Sequence, residues 1–334
     1  MAYRFVRWTW KLLVLFSLCS CGRYAEFTLP APESGNAPPT FTWHADLAPV
    51  LARGAAGEWD AADALNPSVI VRNGEFLNFY SGFDGRAWHT GLATSRDGTS
   101  WQKQGRLLSP DRSTWEGGYI AANGAAILHN NEFFYWYQAG MRELPRIGLA
   151  RSSNGRVWRK LPGPVLPIGP RGSWDERGVG DPYVLRVDGF FYMYYLGQDR
   201  ARRQRLGLAR SRDGEQWEKL RSNPILELGE YGSIDENGLG EPAVWQSDGA
   251  WWMLYTGRLH NEERKLGLAQ SGDGVHWRKQ PAVFSGAEPW NNKVLCDPTV
   301  IVAGPTIHVW FGGGDIARPD ENLHGQIGHA TLSK

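Results

Sequence analysis

The sequence predicts an all-β protein, a five-bladed β-propeller with four-stranded blades, on three observations. Its 334 residues include 17 Trp, 12 Tyr, 13 Phe and 41 Gly, a composition that favours many short strands separated by turns. A sequence repeat recurs along most of the chain, and a fragment of that repeat stands at the opposite end from where the last copy stops. The repeat and the displaced fragment together indicate a closed ring of similar units.

The repeat is marked by the motif Gly-Leu-Ala-x-Ser, which begins at Gly91, Gly148, Gly207 and Gly267. Subtraction gives spacings of 57, 59 and 60 residues. In each copy the motif is followed by a turn dipeptide and a Trp, and it is preceded by two strand-like runs that a second turn joins. Each copy therefore predicts four antiparallel strands, which is one propeller blade.

The fifth copy, residues 298–332, contains only three predicted strands before the chain ends. The missing strand is found near the N-terminus, where Trp43 to Leu51 matches Trp158 to Leu166 of an inner copy. We expect this N-terminal strand to complete the last blade, which removes an open sheet edge. A β-sandwich would not explain the displaced fragment.

The first 21 residues are similar to a secretion signal, with basic residues before the short apolar run Leu12 to Leu18. Leu18-Cys19-Ser20-Cys21 resembles a bacterial lipoprotein cleavage box and predicts lipid attachment at Cys21; an ordinary signal peptide is the alternative. Residues 22–41 are rich in proline and predict a polar tether, and residues 42–334 predict the propeller. We expect a protein of the bacterial cell envelope, either lipid-anchored to a membrane or secreted.

The charge is nearly balanced, with 36 Lys and Arg against 35 Asp and Glu, so the sequence offers no basic stripe for a nucleic acid. We expect a carbohydrate partner, no membrane contact except through a lipid anchor, and a monomer. If Cys21 carries lipid, Cys296 is the only thiol left in the mature chain, and an internal disulfide is excluded.

The first residue of each inner strand is expected to point into a central funnel. These five residues are Asn66, Asn123, Asp181, Glu241 and Asp297. Repulsion among the three carboxylates and partial burial would raise at least one pKa, as a general acid requires. The structural alternative is that each side chain only shapes the start of its strand by accepting backbone N–H groups.

Polar loop residues on the same face are candidates for sugar binding. They are Asp84, Arg86, His89, Arg142, Arg177, Asp199, Arg258, His260, Asp315 and His324. His260 or His324 would also be an alternative general acid.

The chain resembles the five-bladed propeller glycosidases of glycoside hydrolase families 43 and 32. The resemblance rests on Asn66-Pro-Ser-Val-Ile70, Asp181-Pro-Tyr-Val184, Asp297-Pro-Thr-Val300 and the Ser-x-Asp-Gly-x-x-Trp turns. It implies a base Asp in blade 1, an Asp that tunes a pKa in blade 2 and an acid Glu in blade 3. This sequence has Asn66, Asn123 and Asp181 there, and Asn cannot accept a proton from water.

The first hypothesis is therefore a secreted or surface-anchored glycoside hydrolase, with Asp181 and Asp297 as acid and base and Glu241 tuning the pair. An inverting mechanism would need a carboxyl separation of roughly 6.5–9.5 Å. The alternatives are a carbohydrate-binding propeller that has lost catalysis and a glycoside phosphorylase, for which Arg142, Arg177 and Arg202 are available cations. No cofactor is expected, although a carboxylate-lined funnel suits Ca²⁺.

Overall fold

The computed structural model describes residues 23–38 and 40–334, and this part of the chain contains strands and turns but no helix. The all-β prediction is confirmed. Among the residues described, no helix is long and apolar enough to span a membrane. The predicted signal segment and Cys21 lie outside the described residues.

Two short strands come first, β1 (Tyr24–Ala25) and β2 (Thr42–Ala45). The remaining strands form five antiparallel groups, called repeats 1 to 5. Repeat 1 contains β3 (Asp63–Leu65), β4 (Val69–Arg72), β5 (Glu75–Phe83), β6 (Trp88–Ser95) and β7 (Gln102–Leu108). Repeat 2 contains β8 (Ile120–His129), β9 (Glu132–Met141), β10 (Leu144–Ser152) and β11 (Arg159–Lys160).

Repeat 3 contains β12 (Gly178–Val187), β13 (Phe190–Gln198), β14 (Gln204–Ser211) and β15 (Glu218–Leu220). Repeat 4 contains β16 (Gly238–Ser247), β17 (Ala250–Arg258), β18 (Arg264–Ser271) and β19 (Trp277–Phe284). Repeat 5 contains β20 (Val294–Ala303), β21 (Thr306–Gly314) and β22 (Gln326–Ser333). Successive strands of a repeat pair with each other, and β3 and β4 together take the place of one inner strand beside β5.

The N-terminal strand β2 is the fourth strand of repeat 5. It pairs antiparallel with β22, from Thr42 opposite Ser333 to Ala45 opposite Ala330. Neighbouring repeats also touch through short parallel bridges, of which β6 to β8 is one and β18 to β20 another. The outer edge of repeat 5 is thus covered by a segment from the start of the chain.

Apolar clusters fill the spaces between neighbouring repeats. One cluster joins Ile147 of repeat 2 to Met193 of repeat 3, and another joins Leu268 of repeat 4 to Val309 of repeat 5. All four side chains are fully buried. At roughly 25 cal/mol per Å² of buried apolar surface, these interfaces are the main source of stability. Neighbouring repeats therefore pack side by side through these clusters.

A buried ion pair recurs in repeats 1 to 4. In each, a Lys of the outermost strand and a Tyr of the second strand converge on the acid that precedes the inner strand. The sets are Lys103, Asp60 and Tyr80; Lys160, Glu116 and Tyr137; Lys219, Asp175 and Tyr195; Lys279, Asp235 and Tyr255. These contacts fix the loop that leads into each inner strand.

Residues 23–38 lie along the outside of repeats 3 and 4, although their composition predicts a polar tether. Strand β1 pairs parallel with β15, and the backbone N–H of Leu29 donates to the carbonyl of Asp273 at 2.9 Å. Leu29 is 2% exposed, and the Trp251 indole donates to the carbonyl of Pro30 at 3.0 Å. Leu29 and Phe27, which packs beside Tyr192, together with an extended, proline-stiffened backbone hold the segment in place.

Candidate functional site

Each inner strand has one residue whose backbone is in the left-handed region, and it lies inside the strand rather than at the start that the sequence predicted. It is the fourth residue of β8, β12, β16 and β20, and in repeat 1 it lies between β3 and β4. The φ angles are 49° for Asn66, 48° for Asn123, 46° for Asp181, 49° for Glu241 and 51° for Asp297. A shift in strand register accompanies four of the five positions, and at Asn66 the inner strand is interrupted between β3 and β4. Such a conformation costs on the order of 1–3 kcal/mol in a residue other than Gly, and it re-aims the side chain.

All five side chains line one cavity of about 950 Å³, here called the funnel. The same five also line a narrower channel of about 190 Å³ between the inner strands. The funnel volume is near the upper end of the range of about 300–1,000 Å³ for ligand cavities. The sequence therefore identified the ring of residues at the base of the main cavity.

Asp181 has the features of a general acid. The Asn123 side-chain amide donates to its Oδ1, and its backbone N–H donates to Gln138 Oε1 at 3.2 Å. Burial and then the charge of Glu241 raise the pKa of Asp181 to about 8, against the opposing effect of Asn123. Because its folded pKa lies above 7, the carboxyl is mostly protonated at neutral pH and can donate that proton.

Glu241 lies between the other two carboxyl groups. Its Oε2 accepts the backbone N–H of Asp297 at 3.1 Å, and its side chain is half-buried on the funnel wall. Its charge raises the pKa of both Asp181 and Asp297. Burial is the larger cause of both shifts, and Glu241 adds to it in favouring the protonated state of its two neighbours.

Asp297 is set more deeply, at 6% exposure. Its Oδ2 accepts the backbone N–H of Asn66 at 3.3 Å and the thiol of Cys296 at 3.1 Å, whereas Oδ1 has no partner among the described residues. Burial, and then Glu241, raise its pKa well above the ordinary value. Asp181 is thus partly exposed, whereas Asp297 is enclosed, and its raised pKa does not suit the role of base that the sequence predicted for it.

The strained inner-strand positions are held by side chains of the preceding repeat. Ser81 accepts the N–H of Asn123 at 2.8 Å, and Thr256 accepts the N–H of Asp297 at 3.2 Å. In repeat 5 the equivalent position is Gly312, where a Cβ would lie 2.9 Å from Asp297 Oδ2. Asp297 occupies the space that this glycine leaves, and its carboxyl accepts the backbone N–H of Asn66 in repeat 1.

Seven arginines line the funnel: Arg142, Arg177, Arg200, Arg202, Arg203, Arg258 and Arg264. Several are paired with acids, for example Arg200 with Glu176 at 3.0 Å. Arg177 and Arg202 are exposed and have no acidic partner within 4.0 Å in the part of the chain that the structure describes. The positive wall of the funnel is therefore available to an anion.

Arg264 is a funnel residue that sequence reasoning missed. It is 8% exposed, and its Nη2 donates to the carbonyls of Arg318, at 3.0 Å, and Pro319. Burial opposes its charge, but Cys296, Glu241 and Asp297 raise its pKa overall. The signal was present: the residue three places before each Gly-Leu-Ala motif lines the funnel in four repeats, as Trp88, Pro145, Gln204 and Arg264.

Arg142, predicted to bind substrate, is engaged by the loop 315–324 of repeat 5. Its Nη2 donates to Asp320 Oδ2 at 2.7 Å and to Glu321 Oε2 at 3.2 Å. Arg264 holds the same loop from repeat 4. The loop thus lines the funnel with Pro319, Asp320 and Leu323, and the buried Leu323 lies in one apolar cluster with Leu65, next to Asn66. Arg142 is therefore held by the acids of this loop rather than left free for substrate.

Among the other predicted binding residues, Arg177, Arg258 and His260 line the funnel. Asp84, His89 and His324 do not line it. Asp84 instead accepts two turn N–H groups at 2.8 Å and contacts His89, which is 6% exposed, and His324 pairs with Asp315 at 2.8 Å. These side chains stabilise their own turns, a use that residue type alone does not reveal.

Glu241, Cys296 and Asp297 are the one group in the described residues with metal-ligand atoms within 4.8 Å of one another. Burial raises the pKa of the Cys296 thiol, and the Arg264 guanidinium adds a positive charge to the site. Ca²⁺ prefers six to eight hard oxygen ligands. This donor set does not fit the Ca²⁺ ion that the carboxylates suggested.

The sequence profile of glycoside hydrolase family 130, described as β-1,4-mannooligosaccharide phosphorylase, matches residues 112–312. The chain belongs to family 130. A 1,2-β-oligomannan phosphorylase of Thermoanaerobacter sp. is 30% identical over 273 residues, covering 63% of this chain and 91% of the relative. An uncharacterized protein of Mycobacterium tuberculosis is 28% identical over 233 residues, covering 64% of this chain and 75% of that protein.

Solved structures of β-propeller glycosidases share the fold. One comes from a study reporting that the family 130 mannoside phosphorylases contain hydrolases that target β-1,2 mannosidic linkages in Candida mannan. It has a TM-score of 0.68 at 16% sequence identity, and the match covers 89% of this chain and 96% of the solved chain. A Bombyx mori family 32 β-fructofuranosidase has a TM-score of 0.62 at 18% sequence identity, and the match covers 88% of this chain and 63% of that enzyme. The expected relationship to propeller glycosidases is confirmed, and the family is 130 rather than 43.

Proposed function

We propose that this family 130 protein is a glycoside phosphorylase that cleaves a β-mannosidic bond of an oligosaccharide with inorganic phosphate. The observation that carries the proposal is the unpaired Arg177 and Arg202 on the wall of the funnel that also holds Asp181. Phosphate is a compact anion, and arginine side chains bind it through charge-assisted hydrogen bonds. The Thermoanaerobacter relative is named for phosphorolysis of a β-linked oligomannan.

In this reaction the glycosidic oxygen takes the proton of Asp181 as its bond to the sugar C1 breaks. A phosphate oxygen forms the new bond to C1, and the proton of hydrogenphosphate returns through solvent to Asp181. No protein base is needed, because the nucleophile is already an anion. This accounts for Asn66 and Asn123 at positions where the hydrolases of the resembled families have carboxylates.

Hydrolysis is the second candidate, and Glu241 favours it. A half-buried carboxylate next to a protonated Asp181 is the arrangement in which one group activates water and the other donates a proton. Phosphorolysis is preferred because Arg177 and Arg202 have no acidic partner within 4.0 Å among the described residues, and an unpaired guanidinium suits an anion better than a neutral sugar.

The deciding experiment incubates the purified protein with β-1,4- and β-1,2-linked mannooligosaccharides, with and without inorganic phosphate. Phosphorolysis predicts mannose 1-phosphate that forms only when phosphate is present. Free mannose formed at the same rate in both samples would assign hydrolysis instead. The Asp181→Asn variant is the control, since it should be inactive in either case.

We further propose that the five repeats close into a five-bladed ring through the pairing of β2 with β22, and that Cys21 attaches the protein to the bacterial envelope. The lipoprotein-like box supports the second point. Labelling of the protein by fatty acid in cells, and its loss in Cys21→Ala, would test it. A Cys21→Ala protein that still carries lipid would contradict it.

A further inference from the structure

The most exposed aromatic side chain of the described residues is Tyr231, at the tip of the loop between repeats 3 and 4. It is 92% exposed, whereas tyrosines in folded proteins are commonly at least half-buried. Its ring centroid lies 6.3 Å from that of His260, with the two planes 38° apart, and His260 lines the funnel. The Tyr231 ring therefore lies next to a residue of the funnel lining without lining the funnel itself.

The loop that carries Tyr231 is held rigidly. Glu236 Oε2 accepts the N–H of Gly232 at 2.7 Å, and its other oxygen accepts the N–H of His260 at 3.2 Å. One carboxylate thus fixes both the Tyr231 loop and the segment that carries His260. Ser233 also donates to Asp235, the buried acid of the Lys279 pair. A rigid aromatic side chain binds with little loss of conformational entropy.

We infer that Tyr231 and His260 form an outer subsite that stacks against a sugar unit beyond those in the funnel. The inference rests on the proposed function and narrows its substrate class to oligosaccharides long enough to leave the funnel, rather than disaccharides. The apolar face of a pyranose packs on an aromatic ring, and an exposed Tyr is amphipathic enough to do this in water. The funnel itself supplies the polar and charged contacts.

The neighbouring loop offers a matched control. Arg171 has the equivalent place at the tip of the loop between repeats 2 and 3, where Gly172 and Glu176 make the same turn contact at 2.9 Å. The following glycines have nearly equal φ angles, 90° for Gly172 and 88° for Gly232. Arg171 is exposed and, like Tyr231, does not line the funnel, but it has no aromatic ring.

The experiment measures affinity for β-linked mannobiose, mannotetraose and mannohexaose by calorimetry, in the wild type and in Tyr231→Ala, Tyr231→Phe and Arg171→Ala. We expect the wild type to bind the hexaose about tenfold more tightly than the biose, a size of effect common for an aromatic contact residue. Tyr231→Ala should lose this difference with unchanged biose affinity, and Tyr231→Phe and Arg171→Ala should retain it.

A wild type without length dependence, or a Tyr231→Ala variant that keeps it, would overturn the subsite. The readout is binding, so it remains valid if the enzyme proves to hydrolyse rather than phosphorolyse its substrate. The two experiments can fail separately. If product forms without phosphate while the dependence of affinity on chain length still requires Tyr231, only the proposed phosphorolysis is overturned. Since Tyr231 is almost fully exposed, its variants should unfold at the wild-type temperature.

Discussion

The Asn123 side-chain amide donates a hydrogen bond to Oδ1 of Asp181, so that a residue of repeat 2 orients the carboxyl of repeat 3. This bond favours the charged form of Asp181, whereas the nearby Glu241 disfavours it. The two neighbours therefore act on the same proton in opposite directions. Burial raises the Asp181 pKa most, and these two neighbours then adjust the pH range in which Asp181 can serve as an acid.

Asp181→Asn should lower the turnover rate by about 10²–10⁴-fold, since a positioned general acid contributes on that order. The substitution preserves shape and the contact with Asn123 while removing the proton. The measurement is initial phosphorolysis rate with a saturating β-mannooligosaccharide. A loss of less than about tenfold would assign proton donation to another group.

Asn123→Ala should move the basic limb of the pH–rate profile to higher pH. The wild-type limb should fall near the Asp181 pKa of about 8, because activity is lost as the acid deprotonates. Removing the Asn123 donor destabilises the carboxylate and raises that pKa further. The profile of kcat/KM against pH measures the shift, and a limb that moves to lower pH would contradict the assignment.

Glu241→Gln should shift the same limb in the opposite direction. The variant removes a negative charge that raises the pKa of Asp181, so deprotonation should occur at lower pH. The Asn123→Ala and Glu241→Gln variants are controls for each other, because both change the pKa of the Asp181 carboxyl. If the basic limbs of the two variants shift in the same direction, the titrating group is not Asp181.

Arg177→Met and Arg202→Met should each raise the KM for phosphate about tenfold or more, as expected for a lost hydrogen bond to a charged group. The KM for the oligosaccharide should change much less. Arg171→Met is the matched control outside the funnel. Equal phosphate KM values in all three variants would place the phosphate elsewhere.

Lys219→Met should lower the free energy of unfolding by about 3–5 kcal/mol, because it leaves the Asp175 carboxylate buried without its partner. Lys219 and Asp175 have side-chain exposures of only 3% and 1%. Lys334→Met, which breaks a largely exposed pair with Asp248, should change it by less than about 1 kcal/mol. Denaturant unfolding measures both, and equal losses would contradict a special role for burial.

The repeat allowed the fold class and the five residues at the base of the funnel to be predicted from sequence, since equivalent positions in a repeat have equivalent surroundings. Arg264 was missed because the comparison between repeats was applied to the inner strands alone. Asp84 and His89 were assigned to the funnel because their residue types suit sugar binding. Their side chains are instead occupied by local hydrogen bonds that depend on three-dimensional turn geometry.

The docked N-terminal segment bears on how the protein would sit in a cell. The carbonyl of Arg23 already accepts the backbone N–H of Lys219 at 2.9 Å. If Cys21 is acylated as proposed, only Gly22 separates the lipid from this attachment. The protein would then lie close to the bilayer, with the outer strand of repeat 3 nearest to it.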